Sequence, residues 1–158
     1  MKKTLSLMLS LACLCGLTAC QEEAKPATPP EHKISSVQAM VDAGAFSEEL
    51  AELDGDTAFA LYQLGSYGLV RENLLECAVL RSSGATCEEG AVLLFSDEEK
   101  SGLAETALKD YIQSQISSNT DYRPAEIPKL ESALISRQGN SLLLVVANDV
   151  EAAKRAVN

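Results

Sequence analysis

Few side chains in this chain can do covalent or acid–base chemistry, and their spacing narrows the choice further. The candidates are five cysteines, a single histidine and the runs of adjacent carboxylates at Glu88-Glu89 and Asp97-Glu98-Glu99. His32 follows Pro29-Pro30-Glu31 and reads as a solvated linker residue. Without it, serine–histidine and cysteine–histidine hydrolase schemes have no base. Glu88-Glu89 and Asp97-Glu98-Glu99 flank one apolar run, and two carboxylates can divide acid and base work when a fold brings them close. Acids adjacent in sequence more often form a solvated turn or a favourable helix start, which is the expectation here. Cys77 and Cys87 are separated by nine residues, a spacing unlike that of a zinc site, which also needs further ligands that this segment lacks. Asp54-Gly55-Asp56 suggests a calcium loop, but counting from Glu52 puts Thr57 where the loop needs glycine and Gln63 where it needs a bidentate glutamate. Asp54 or Asp56 is therefore expected as a helix cap. Gly65, Gly68, Gly84 and Gly90 are not spaced for a phosphate loop. Tyr62-Gln63-Leu64-Gly65-Ser66-Tyr67-Gly68 puts two tyrosines on a flexible backbone that could line a shallow site. No catalytic set, cofactor or metal site is expected from these patterns.

The most specific signal lies upstream. Lys2 and Lys3 precede an apolar run over residues 5–17, which closes on Leu17-Thr18-Ala19-Cys20. A charged start, an apolar stretch and a small-residue site are the parts of a secretory signal. The uncharged run over residues 4–20 is 17 residues long and contains Ser, Thr and Gly, the short limit for a bilayer span. Leu17-Thr18-Ala19-Cys20 resembles the lipobox of bacterial lipoproteins. The resemblance implies a signal peptide over residues 1–19, a diacylglyceryl thioether on Cys20 and a mature chain that begins there. Each buried methylene contributes about 0.8 kcal/mol, so two acyl chains hold where one is marginal. The lipid bilayer, reached through acylated Cys20, is the expected partner, and the extracytoplasmic face of the cell membrane the expected location. Cys13 and Cys15, inside the apolar run, are filler discarded with the signal.

The full chain carries a net charge of −10, and loss of residues 1–19 with Lys2 and Lys3 takes it to −12. No basic stripe is present, so no nucleic-acid partner is expected, and an anionic leaflet repels the folded part. Residues 20–34 carry prolines and charges with little to bury, and read as a disordered tether reaching on the order of 20 Å. Residues 35–158 remain for a single domain with a genuine core. With no tryptophan and few other aromatics, that core must be aliphatic.

Helical spacing of Val37, Met40 and Val41 predicts a short helix capped by Ser35 or Ser36 and ended by Gly44. Residues 46–53 carry Phe46, Leu50 and Leu53 among acids and read as a helical turn or two. LLECAVLR (residues 74–81) and AVLLF (91–95) read as strands joined through Ser82-Ser83-Gly84. Ser96 with Glu99 has the form of a capping box, opening a helix that carries Leu103, Ala104, Ala107, Leu108, Tyr111, Ile112 and Ile116. Pro124 and Pro128 impose an irregular crossing. A second hairpin is expected from residues 134–137 and 142–147, and Asn148 or Asp149 caps a last helix. The pattern predicts an α+β domain: two ββα units forming a four-stranded antiparallel sheet with helices packed on one face, preceded by short N-terminal helices. The continuous runs VLLF and LLLVV point to central strands covered on both sides.

A hairpin centred on Ser82 would bring Cys77 opposite Cys87, and an exported location permits a disulfide there, worth roughly 3 kcal/mol in closing the loop. Two buried free thiols are the alternative. The order of LAELDGDTAFALYQL, LLECAVLR, AVLLF with its long helix, and LLLVVANDVEAAKRAVN is similar to the domain of unknown function 4358, a family of lipoproteins in Gram-positive, clostridia-like bacteria. The similarity covers about residues 34–158 and brings no catalytic residues. The leading expectation is a membrane-anchored, non-enzymatic binding or interaction domain whose partner is an envelope protein or a small ligand. The alternatives are a small carboxylate-dependent envelope hydrolase and an accessory subunit of a membrane complex.

Overall fold

The computed structural model describes residues 31–157; the signal segment, Cys20 and most of the expected tether lie outside them. Helix α1 spans Ser36–Asp42 and buries Val37 and Met40, three residues apart on one face. Strand β1 is Ala51–Leu53, and α2 is Gly55–Leu61, capped by Asp54, whose side chain accepts the Thr57 N–H at 2.7 Å. Single 3-10 turns lead to β2, Leu74–Arg81. Then follow β3, Glu89–Phe95, and the long α3, Glu98–Asn119. A 3-10 turn at Pro124–Glu126 runs into α4, Ile127–Glu131. The chain closes with β4 (Leu134–Gln138), β5 (Ser141–Val146) and α5 (Val150–Val157).

The strands form one antiparallel sheet in the order β1-β2-β3-β5-β4. The α+β class matches expectation, and the sheet has five strands where four were expected. The extra strand comes from residues read as helical. Ala51, Glu52 and Leu53 pair with Arg81, Leu80 and Val79 at the open edge of β2. Three residues are too few to register as an alternation, so the spacing of Phe46, Leu50 and Leu53 suggested a helix instead.

Parity explains the continuous apolar runs. Side chains alternate across a strand, so Ala91, Leu93 and Phe95 of β3 join Leu142, Leu144 and Val146 of β5 on one face. There they pack on Ala104, Ala107 and Leu108 of α3 and on Tyr62 and Leu64. Val92, Leu143 and Val145 point the other way and pack under α1 and α5, against Val37, Met40, Ala152 and Ala153. Both ββα units are present in chain order, but their helices cover opposite faces instead of sharing one. Gly90 is needed where β3 passes under residue 46, because a Cβ there would lie 2.8 Å from the Phe46 ring.

Local details agree with expectation at one helix cap and differ at another and at His32. The cap of α3 is Asp97, accepting the Lys100 N–H at 2.9 Å, while the Ser96 hydroxyl donates to Asp97 at 3.0 Å. Asp149 caps α5 by accepting the Ala152 N–H at 2.8 Å, one of the two expected candidates. His32 is not solvated. Its backbone N–H donates to Ser141 Oγ at 2.7 Å and its ring Nε2 lies 3.2 Å from Ser136 Oγ. Ile34 packs partly against the α1–α5 side. Burial pushes the His32 imidazole below its usual value.

Candidate functional site

The carboxylate pair Glu88-Glu89, expected in a solvated turn, is the most deeply buried pair of charged residues in the described chain, at 0 % and 2 % exposure. The hairpin explains how. β2 and β3 pair from Leu74 with Phe95 to Arg81 with Glu89, so the loop covers residues 82–88 and centres on Ala85. Glu89 is the first ladder residue of β3, on the same face as Ala91 and Leu93, and projects beneath α3. Glu88 turns away from it.

Around Glu89 three donors converge. The Tyr62 hydroxyl donates to Oε1 at 2.5 Å, and the Tyr111 hydroxyl to Oε2 at 2.7 Å. Arg81 Nε, directly across the ladder, donates to Oε2 at 3.1 Å and to the Tyr111 oxygen at 3.2 Å. The two phenol rings meet edge to face, with centroids 5.2 Å apart and planes at 82°, which fixes both hydroxyls on the carboxylate. Burial raises the Glu89 pKa against the opposing pull of Tyr62, Tyr111 and Arg81. Burial and then the neighbouring Glu89 charge push both tyrosines above the usual phenol value. The four side chains form one hydrogen-bonded network centred on the carboxylate.

Glu88 is held differently. Lys129 of α4 donates to Oε1 at 2.8 Å, the Ser47 hydroxyl to Oε1 at 2.7 Å and the Ser47 N–H to Oε2 at 2.7 Å. Lys129 also meets Glu126 at 3.2 Å. Burial opposes the lysine charge, and the bonds to Glu88 and Glu126 outweigh it, raising the Lys129 pKa.

Cys77 and Cys87 are both free thiols. The expected opposition fails because the hairpin centres three residues later than Ser82: Cys77 pairs with Leu93, and the ladder end at Glu89 is about 13 Å further along the strand. Burial raises both thiol pKa values. Asp97, Glu98 and Glu99 form the exposed first turn of α3, as expected. Among the described residues no three His, Cys, Asp or Glu side chains are grouped to hold a metal ion.

The Tyr62–Gly68 segment does line a shallow site. Gln63 adopts a left-handed φ of 51° and Gly68 one of 82°, turning the chain back so that Tyr67 donates to Asp110 at 2.7 Å. A cavity of about 400 Å³ opens there against α3, with Tyr62, Tyr67, Asp110, Tyr111 and Gln115 among its walls. Sequence reasoning missed the buried glutamates. Their one sequence signal was parity: counting back from Phe95 by twos places Glu89 on the core face.

No family model matches the chain, and no curated protein or solved structure is similar to it beyond chance.

Proposed function

We propose that this chain is a membrane-anchored extracytoplasmic lipoprotein whose domain binds a ligand or partner and performs no reaction of its own. The observation that carries the reading is Leu17-Thr18-Ala19-Cys20 directly after a charged start and an apolar run. Cys20 is acylated and anchors the chain through two lipid tails. The binding role is supported by the way the domain uses its buried acids. Glu88 and Glu89 are 0 % and 2 % exposed and each accepts three hydrogen bonds from the fold, so most of their accepting capacity is spent inside the domain. That weighs against the hydrolase alternative, which needs a carboxylate open to a cleft. The shallow groove beside Tyr62 and Tyr67 supplies a surface for recognition.

Replacement of Cys20 by alanine followed by membrane fractionation tests the anchor. The expected result is loss of the membrane-bound form, with the wild-type N-terminal peptide heavier by the mass of its acyl groups. Unchanged attachment and an unmodified N-terminal peptide would sink the reading.

A further inference from the structure

We propose that the small cavity between the β2–β3 loop and the end of α3 binds an oxyanion, the phosphate or carboxylate group of a small polar ligand; the inference rests on the binding-module reading and assigns it a ligand class. The cavity holds about 130 Å³ and is walled by Arg81, Arg123, Cys87, Gln115, Asn119 and the loop at residues 82–86. A water occupies about 30 Å³ of liquid, so a phosphate- or carboxylate-sized group fits with little to spare. Two guanidinium groups face one cavity on a chain whose net charge is −10, and none of the lining residues is acidic.

Both arginines have donors to give. Among the described residues Arg81 hydrogen-bonds only through Nε, to Glu89 and Tyr111. Its two terminal nitrogens therefore keep their hydrogens for a ligand, held in orientation by the glutamate behind them. Arg123 donates from Nη1 to the Thr86 carbonyl at 3.0 Å and forms no ion pair among the described residues. Its guanidinium carbon stands 5.2 Å from the Tyr122 ring centroid, a contact that fixes the plane. The forked, planar donor set of arginine matches the two oxygens of a carboxylate or phosphate. The acids on this side are engaged: Glu48 accepts from Thr86 Oγ1 at 2.6 Å, and Glu126 accepts the Cys87 N–H at 2.9 Å and pairs with Lys129.

One effect opposes an anion here, because the C-terminal end of α3 carries partial negative charge. Its carbonyls are largely answered. The Gln115 carbonyl accepts from the Asn119 amide, the Ile116 carbonyl from Thr120, and the Asn119 carbonyl from the Arg123 N–H. A helix end acts as about half a charge; Arg81 is already offset by Glu89 at 3.1 Å, so the whole charge set against the helix end is that of Arg123. Attraction wins. Gln115 also lines the larger groove beside Tyr62, which gives the remainder of the ligand a polar surface to lie on.

The test is calorimetric titration of the full-length protein, extracted from membranes in detergent, with inorganic phosphate and separately with malonate at low salt. Saturable binding of at least one probe is expected, and the one that binds assigns the anion as phosphate or carboxylate. Arg123→Gln should weaken that binding tenfold or more, while Lys154→Gln on α5 leaves it unchanged. Arg123 is chosen because Arg81 also supports Glu89, and a circular-dichroism melt confirms that the variant folds. The bound probe should also slow alkylation of Cys87, whose thiol shares the cavity, and leave Cys77 unaffected. No saturable binding of either probe at millimolar concentration, binding indifferent to Arg123→Gln, or an unchanged Cys87 rate overturns the site. Such a failure with Cys20-dependent attachment intact removes the anion site alone; anion binding by a chain that floats free of membranes removes the anchor alone.

Discussion

Glu88 and Glu89 are neighbours in sequence, both fully enclosed, and solved by the fold in two different ways. Glu88 meets a whole positive charge: Lys129 at 2.8 Å, backed by a serine hydroxyl and a backbone N–H. Glu89 meets two neutral phenols, with the guanidinium of Arg81 reaching it at 3.1 Å through a single nitrogen. The first arrangement cancels charge, and the second spreads it over polarised O–H bonds. A buried ion pair is costly to break because the surviving charge has no water to return to. A phenol network is cheaper to disturb, but it leaves its carboxylate closer to taking up a proton. The comparison teaches that the same residue type, one position apart, can be held by an ion pair or by a ring of hydroxyl donors.

Removing the cation should produce the largest effect. Lys129→Met strands Glu88 in the interior and is expected to cost about 3–5 kcal/mol by urea denaturation; a loss no greater than that of the surface control Lys154→Met would erase the distinction. Tyr62→Phe deletes the 2.5 Å bond to Glu89 and is expected to cost about 1–3 kcal/mol, less than the lysine change because Tyr111 and Arg81 remain. The third prediction concerns pH. The folded pKa of Glu89 lies above its ordinary 4.5, so as pH rises through that value the unfolded chain gives up its proton first while the folded one keeps it. Folding stability should therefore fall over this window, by at most about 1.4 kcal/mol per pH unit, and level off above the folded pKa. Denaturation midpoints of Glu89→Gln should lack this slope, and profiles parallel to the wild type would show that Glu89 does not titrate in this way. The Lys129 contribution has the same sign in a more alkaline window: it is complete below its ordinary 10.5 and fades as pH climbs through the raised folded value. Ser47→Ala should have the smallest effect, about 1 kcal/mol, since the backbone N–H of residue 47 and Lys129 still serve Glu88.

Much of the framework was readable in the chain because its signals are local. AVLLF and LLLVV are unbroken apolar runs bounded by turn residues and became the two central strands. The spacing of Ala104, Ala107, Leu108, Tyr111 and Ile112 marked the buried stripe of α3. What escaped was decided at long range. Tyr62, Tyr111, Ser47 and Lys129 lie 22 to 41 positions from the glutamates they hold, and nothing next to Glu88-Glu89 announces them. His32 was misplaced for the same reason, since its partners Ser136 and Ser141 are over a hundred positions away. The thiol pair failed on register: a loop over residues 82–88 instead of a tight turn at Ser82 shifts every cross-strand partner of Cys77. The shallow groove at Tyr62–Gly68 was anticipated from two tyrosines on a glycine-bearing segment, yet one of those tyrosines turned inward.

The docking of His32 on Ser141 has a geometric consequence. Ser141 pairs with Leu94 at one end of the central strands, and Val146 pairs with Glu89 at the other, about 17 Å away along β5. The described chain therefore begins at one pole of the sheet, while the arginine-walled cavity sits at the opposite pole. An anchor at the proposed acylated Cys20 would thus join the domain on the side away from that cavity.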